Sequence, residues 1–447
     1  MRSRGETERT AFFAKFLLPE ARGAWVEDAA LLVEDGVVVY AGPKEGADTS
    51  GFDVVDLGNV AVIPGFVNAH AHLAMSLLRG YGDGLPLHDW LQRVWEVEAR
   101  MDEEVIYYGD LLGLAEQVRS GITSFVDFYN VEPMLRALRD SGLRSRAVLT
   151  LAFMDRVEYM AEESWRRLRR IDEYVSMVRE WGGGRLHLAL GPHAPYSCSR
   201  ELLEELAGAS ARLGLRVHTH LSETKEDVAK VKEEFGMTPV AYLESLGLLN
   251  ERLIAAHGVH LTDEEISLMG RRGASVVHCP RSNSRLGAGV ARVREMVEAG
   301  VNVALGTDGP ASSDSLDAFE EMRLMVYLQR TRAGDPSAVS AADALHAMTL
   351  GSARAAGLPD VGALRPGFRA DFVALDLGSI NMRPAWNLTT NIVMSAGPAN
   401  VRHVYVEGRP ALEDGRLLLP GVEEALDRAD EFRGMFSAPG GQRQDSR

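Results

Sequence analysis

Cysteine is nearly absent from the 447-residue chain: only Cys198 and Cys279 occur. Two such thiols support neither a disulfide framework nor a Cys-based zinc pattern, so any metal must be held by histidine and carboxylate. Also missing is an apolar run approaching the roughly 20 residues of a membrane span. Positive charge is in deficit, with 48 Lys and Arg against 64 Asp and Glu. The resulting formal charge of −16 repels phosphate backbones, which argues against nucleic-acid binding and for a small-molecule partner. The opening MRSRGETERTAFFAKFLLPE has a basic start, but it carries acidic residues and lacks an apolar core with a small-residue cleavage site. No secretory signal is read, no membrane partner is expected, and the cytoplasm is the expected location.

What is present reads as an ordinary globular composition, 46% hydrophobic and 25% charged, in a chain long enough for a large domain plus a small one. ALLVEDGVVVYAGP (30–43) alternates around Asp35-Gly36, a β-hairpin signature, and FRADFVALDL (368–377) and VRHVYVEGRPAL (401–412) repeat the pattern near the other end. Between them lie eight β-branched runs: VAVIPGFVNAH, GITSFVDFY, SRAVLTLAF, RLHLALGPH, LRVHTHL, RLIAAHGVH, ASVVHCP and VNVALGTD. Helical periodicity fills the intervals, as in 103–120, 200–214 and 316–331. Eight β and α units in alternation, with strands apolar on both faces, predict an α/β fold, a (β/α)8 TIM barrel. A doubly wound sheet is disfavoured because no GxGxxG follows the first strand. The flanking β segments predict a small discontinuous β-sandwich domain made from both chain ends. The expected division is 1–63 and 365–435 for the small domain, 64–364 for the barrel and 436–447 for a flexible tail.

The chemistry is concentrated at the C-terminal ends of these strands, where barrel active sites are built. Alternation along a strand turns His70 and His72 of VNAHAHLAMS to one face, so both can reach one ion. An isolated pair of this kind would read as a hydrogen-bonded strand end. Here the fifth strand adds His218, His220 and Glu223, the sixth His257 and the eighth Asp308. His70, His72, His220 and Asp308 are assigned as metal ligands, with His257 close enough to bind or orient a metal-activated water. His218 is read as a supporting or core histidine.

PGFVNAHAHLAM with Arg79-Gly80, HTHLSET, HGVHL and GTDG resemble the amidohydrolase superfamily, in particular its metal-dependent aminohydrolases of the S-adenosylhomocysteine/5'-methylthioadenosine (adenosine-type) class. MTLGSARAAGL…VGALRPGFRADFVALD (348–376) resembles the same family. The resemblance implies a hydrolase of cyclic amidine C–N bonds that converts an adenosine-like nucleoside (5'-methylthioadenosine, S-adenosylhomocysteine, 5'-deoxyadenosine or adenosine) to the inosine analogue and ammonia. The alternatives are a guanine or pterin deaminase or a triazine-type chlorohydrolase on the same fold, and, from another class, a non-catalytic metal-binding barrel. Where relatives with two metals carry a lysine, at the end of strand four, this chain has His193 in LGPHAPYS, which implies one divalent metal, Zn²⁺ first and Fe²⁺ as the alternative. Such an ion lowers the pKa of water toward about 7. By the resemblance, Glu223 protonates the ring nitrogen and the leaving ammonia, Asp308 takes a proton from the water, and His257 stabilises the hydroxide. Glu98, in a W-x-x-E pattern with Trp95, is expected to accept from ribose hydroxyls. His193 resembles a substrate-contacting histidine. Leu151 stands where relatives that bind a charged amino-acid tail carry arginine, and Arg156 or Arg166 is a candidate to reach that space. A homo-oligomer, dimer or tetramer, is expected.

Overall fold

The structure is a computed structural model that describes residues 7–436. The segment 437–447, and with it the expectation of a flexible tail, lies outside the described residues.

All eight of the β-branched runs contribute a strand to one parallel sheet of eight. In chain order the barrel strands are Phe66–Ala71, Ile122–Tyr129, Arg146–Phe153, Leu186–Pro192, Arg216–Leu221, Leu253–His257, Ser275–His278 and Asn302–Leu305. Each pairs with the next in parallel. The ring closes between the eighth and the first, where Asp308 N donates to His70 O at 3.0 Å and Ala71 bridges Asp308. Gly306 permits this approach: a Cβ there would lie 2.8 Å from His70 Cβ and 2.9 Å from His70 N.

Inside the barrel, Val67, Ala69, Val126, Val148, Ala189, Ile254, Val277 and Ala304 pack with Ala353, Ala356 and Leu358 from the segment that covers the N-terminal end. The small and branched side chains fill the lower barrel with apolar atoms, which leaves the polar groups gathered at the other end. The three intervals with helical periodicity are helices, Glu103–Arg119, Arg200–Leu213 and Ala318–Ala333. Each starts at a side-chain cap, from Asp102, Ser199 and Asp317 respectively.

The two chain ends meet in a second, mixed sheet of nine strands. Its link is the antiparallel pair Val60–Pro64 with Phe372–Asp376. The first hairpin turns at Asp35 (φ 48°) and Gly36 (φ 78°), and the C-terminal one at Glu407 (φ 50°) and Gly408 (φ 69°), the left-handed pairs that two-residue hairpin turns demand. Phe372 and Tyr405 stack at the centre of its core with Phe12 edge-on to both, and Leu31, Val33 and Val62 lie around them. One reading is corrected: VAVIPGFVNAH is two strands, not one. Val60–Pro64 belongs to the mixed sheet and Phe66–Ala71 to the barrel. Gly65 makes the switch, donating its amide to Asp371 O at 2.8 Å, and a Cβ there would strike Thr123 Oγ1 at 2.2 Å. No helix among the described residues is long and apolar enough to cross a membrane.

Candidate active site

The barrel strands end in a buried polar cluster. His70, His72 and His220 each bring a ring nitrogen within 4.8 Å of the others, and the same spacing joins ring nitrogens of His70 and His257 with a carboxylate oxygen of Asp308. His72 Nε2 lies 3.3 Å from His220 Nε2, and Asp308 Oδ1 lies 3.4 Å from His70 Nε2 and 3.3 Å from His72 Nε2. His70 Nε2 has no hydrogen-bond partner.

The other ring nitrogens explain this geometry. His72 Nδ1 donates to Phe128 O at 2.8 Å and His220 Nδ1 donates to His193 O at 2.7 Å. With Nδ1 carrying the proton, the two Nε2 atoms are lone pairs facing each other. Burial holds these imidazoles neutral: His72 is lowered to about 3, with the neighbouring His70 adding to the effect, and His220 is well below its ordinary value. Converging lone pairs at 3.3 Å repel unless a cation lies between them. Atoms bound at about 2.1 Å around a tetrahedral centre are about 3.4 Å apart, so the donor set fits a divalent ion. His70, His72, His220 and Asp308 would hold it, all four buried.

A supporting layer orients this set. His70 Nδ1 and His218 Nε2 share a hydrogen bond of 2.8 Å, and His218 Nδ1 meets Thr150 Oγ1 at 3.0 Å. Asp308 Oδ2 accepts from Ser282 Oγ at 2.6 Å and Ser312 Oγ at 2.8 Å, and Oδ1 accepts from Gly309 N at 2.8 Å. His257 Nδ1 contacts Asn283 Oδ1 at 2.9 Å. His257 (φ 71°) and Asp308 (φ 58°) adopt left-handed backbone, costly for non-glycine residues and concentrated at functional sites.

Glu223 Oε2 lies 3.6 Å from His257 Nε2. Burial raises the Glu223 carboxyl to about 8 although His257 pulls the other way. Burial would lower His257, but the carboxylates of Glu223 and Asp308 and the Asn283 contact outweigh it and raise the imidazole. Burial would likewise raise Asp308, yet His70 and His72 hold it well below the usual carboxylate range. The two carboxyls are thus pushed apart, one protonated and one ionised at neutral pH, as acid and base roles require.

A cavity of about 240 Å³ opens from this cluster and reaches Glu98. Tyr129 Oη donates to Glu98 Oε1 at 2.7 Å and Tyr159 Oη to Oε2 at 3.1 Å. Burial raises Glu98 to about 7 against these two bonds. His193 also lines the cavity, with Nδ1 2.9 Å from Ser197 Oγ. The remaining walls are largely apolar, including Trp90, Leu91, Val94, Met154 and Met160.

Arg156 is not brought into this cavity. Its guanidinium pairs with Glu234, which turns it away from the lining. Arg166 pairs with Glu163 and is exposed. Arg167 lines the wall instead, although it donates through Nε to Glu163 at 2.9 Å, through Nη1 to Ala152 O at 3.0 Å and through Nη2 to Asn130 Oδ1 at 2.8 Å. The sequence reading passed over Arg167, Tyr129, Tyr159, Asn283, Ser282 and Ser312. A signal for the last three was present in HCPRSN and GPASS, polar residues one turn past a strand end. Cys198 and Cys279 are buried, and burial pushes the Cys198 thiol up to about 12, which leaves it inert.

The Amidohydrolase family profile matches residues 61–411, spanning every one of the groups described above. The chain belongs to the amidohydrolase family. A 5-methylthioadenosine/S-adenosylhomocysteine deaminase of Moorella thermoacetica is 39% identical over 90% of this amidohydrolase and 94% of its own length. A 5'-deoxyadenosine deaminase of Methanocaldococcus jannaschii is 36% identical over 90% and 95%. Among solved structures, an adenosine deaminase from Xanthomonas campestris with bound zinc superposes with a TM-score of 0.89 at 33% identity, covering 96% of this chain and 98% of that one. This amidohydrolase is accordingly a hydrolase of the deaminase type.

Proposed function

We propose that the protein hydrolyses the exocyclic amine of adenosine-like nucleosides bearing a short apolar 5' group, 5'-methylthioadenosine foremost, with 5'-deoxyadenosine and adenosine following. The observation that carries this reading is one cavity shared by the cation cluster, Glu223 and Glu98. The deaminase names of relatives at 36–39% identity support it. A guanine, pterin or triazine ring offers Glu98 no cis-diol, and a binding-only barrel has no use for the divergent carboxyls of Glu223 and Asp308.

One divalent cation, zinc by preference, would be held by His70, His72, His220 and Asp308. When bound, such an ion lowers the pKa of a water from 15.7 toward about 7. Glu223, carrying its proton up to about 8, donates to the ring nitrogen beside the carbon under attack. Asp308, ionised, accepts the proton that the attacking water gives up. His257 lies against Glu223 and places positive potential where negative charge develops. The water oxygen forms the new C–O bond, the C–N bond breaks, and ammonia leaves with the proton that completes it. Glu98 accepts from ribose hydroxyls while Tyr129 and Tyr159 hold its carboxyl in place.

The preference at the 5' position follows from Arg167. It is the one Arg or Lys among the described residues that line the cavity, and its three nitrogens already have protein acceptors. Two of its five N–H donors are left over, but its charge is already paired with Glu163, so a charged amino-acid tail would be desolvated against methionine and leucine without an uncommitted counter-charge, at a cost of several kcal/mol. We further place the enzyme in the cytoplasm as a homo-oligomer, the latter because Ile380 and Trp386 are more than nine-tenths exposed. The deciding experiment measures ultraviolet absorbance and ammonia release over adenosine, 5'-methylthioadenosine, S-adenosylhomocysteine and guanine with zinc-loaded protein. The highest kcat/KM is expected for 5'-methylthioadenosine; turnover of guanine alone would refute the proposal.

A further inference from the structure

At the opposite end of the barrel, a groove of about 520 Å³ runs along the starts of the fourth to sixth strands. Arg179, Arg216, Arg252 and His187 supply its polar lining, and no carboxylate lines it among the described residues. The floor is apolar, with Val148, Val178, Leu186 and Leu188. Such a gathering of guanidiniums is unexpected in a chain of net charge −16, where acidic partners abound.

The local bonding leaves these groups available. Arg179, on the exposed face of the helix Ile171–Gly182, has no hydrogen-bond or ion-pair partner among the described residues, nor has His187. Arg216 Nη1 donates to Glu251 O at 3.2 Å, and its guanidinium lies over Gly357, where a Cβ would meet Nε at 2.2 Å. The backbone therefore fixes its position without neutralising its charge. Arg252 Nη1 reaches Glu251 Oε1 at 3.3 Å, a pair in which the glutamate is mostly exposed, while its Nε is buried and unpartnered. Asp360, the other nearby acid, is taken by Arg369 at 2.7 Å. Burial lowers Arg216, the Glu251 carboxylate pulls the other way, and the charge of Arg252 adds to the lowering.

We propose that this groove is a second ligand site, specific for a phosphate group and sized for a phosphomonoester with an organic body. Guanidinium donors match phosphate oxygens in a fork geometry, and the floor of valine and leucine accommodates the organic part. The site lies across the packed barrel interior from the catalytic cluster, so it is independent of the deaminase reading. Free inorganic phosphate and a phosphomonoester share the chemistry, and the experiment separates them.

The test is isothermal titration of the full-length, zinc-loaded protein with inorganic phosphate, cytidine monophosphate and cytidine. Binding of cytidine monophosphate but not cytidine is expected, weakening with added salt. The double variant Arg179→Gln/Arg252→Gln should lose at least about tenfold in affinity while its melting temperature and deamination kcat/KM stay at wild-type values. Binding of phosphate alone would assign the site to the free ion. Equal heats for cytidine and its monophosphate, unchanged affinity in the double variant, or no binding of either anion at millimolar concentration would overturn the proposal. Arg216→Lys is the second variant: it keeps charge over Gly357, and retained binding geometry should cost less than the double replacement.

Discussion

The amide of Asp308 donates to the carbonyl of His70 at 3.0 Å, so the hydrogen bond that closes the barrel also joins two residues of the cation cluster. Closure and ligand geometry are therefore one structural event: the eighth strand cannot drift from the first without moving the Asp308 carboxylate away from His70 and His72.

Gly306→Ala tests this coupling. The added methyl would sit 2.8 Å from both His70 Cβ and Val277 Cγ1 and 2.9 Å from His70 N, against backbone and a stiff β-branched side chain of the packed barrel interior. Overpacking of this kind costs about 1–3 kcal/mol. We expect a lower melting temperature together with loss of zinc, read by calorimetry and elemental analysis. A variant that melts lower while keeping full zinc content would separate closure from ligation.

The chain His70–His218–Thr150 holds the His70 ring by its Nδ1, leaving Nε2 for the proposed cation. His218→Phe should weaken zinc binding by about 10–100-fold, the usual effect of removing a residue behind a metal-bound histidine. Thr150→Val should do so less severely, since only the outer end of the relay is lost. Competition with a chromophoric chelator gives both affinities. Wild-type affinity in His218→Phe would reduce His218 to a packing residue.

Much of this was legible in the sequence, for a physical reason. Parallel barrel strands are apolar on both faces, so polar residues at their ends stand out, and His70, His72, His220, Glu223, His257 and Asp308 could each be placed at one rim. What strand patterns lack is information on where long side chains go. Glu163, Arg166, Arg167, Arg169 and Arg170 crowd one helix and the turn after it, and only the packed structure distinguishes Arg167, buried over Asn130, from its solvated neighbours. Arg156 failed as a cavity residue for the same reason: its partner Glu234 is 78 positions away. The VAVIPGFVNAH run hid its break because Gly65 interrupts hydrogen bonding without interrupting hydrophobicity.

Glu98 links pH to both affinity and stability. Burial raises its carboxyl to about 7, so it ionises as pH rises through that value and, on the proposed function, becomes the stronger acceptor for ribose hydroxyls. KM for 5'-methylthioadenosine should fall between about pH 6 and 8, and Glu98→Gln should abolish that dependence while raising KM. The stability sign is opposite. A folded pKa above the unfolded value of about 4.3 means that the contribution is fully present below that pH and lost as pH rises through about 7. Glu98→Gln should therefore gain stability relative to wild type at pH 8, with a ceiling of about 4 kcal/mol. A wild-type KM that is flat with pH would contradict the ionisation of Glu98 in the free enzyme.

On the proposed function, Arg167 is the residue that selects among 5' substituents. In the wild-type protein three of its five N–H donors go to Glu163, Ala152 O and Asn130, and its charge is already paired with Glu163, so a homocysteine carboxylate meets a committed cation. Removing two of those acceptors, in Asn130→Ala/Glu163→Ala, releases Nη2 and Nε toward the cavity. A charge-assisted hydrogen bond contributes about 1.5–3 kcal/mol, so the ratio of kcat/KM for S-adenosylhomocysteine over 5'-methylthioadenosine should rise by roughly ten- to a hundredfold. The turnover number for 5'-methylthioadenosine should change little, because neither residue bonds to the histidines, Glu223 or Asp308 of the cluster. If wild-type protein already handles both substrates equally, the bonds to Arg167 do not govern selectivity, and the tail must leave the cavity by a route that avoids this wall.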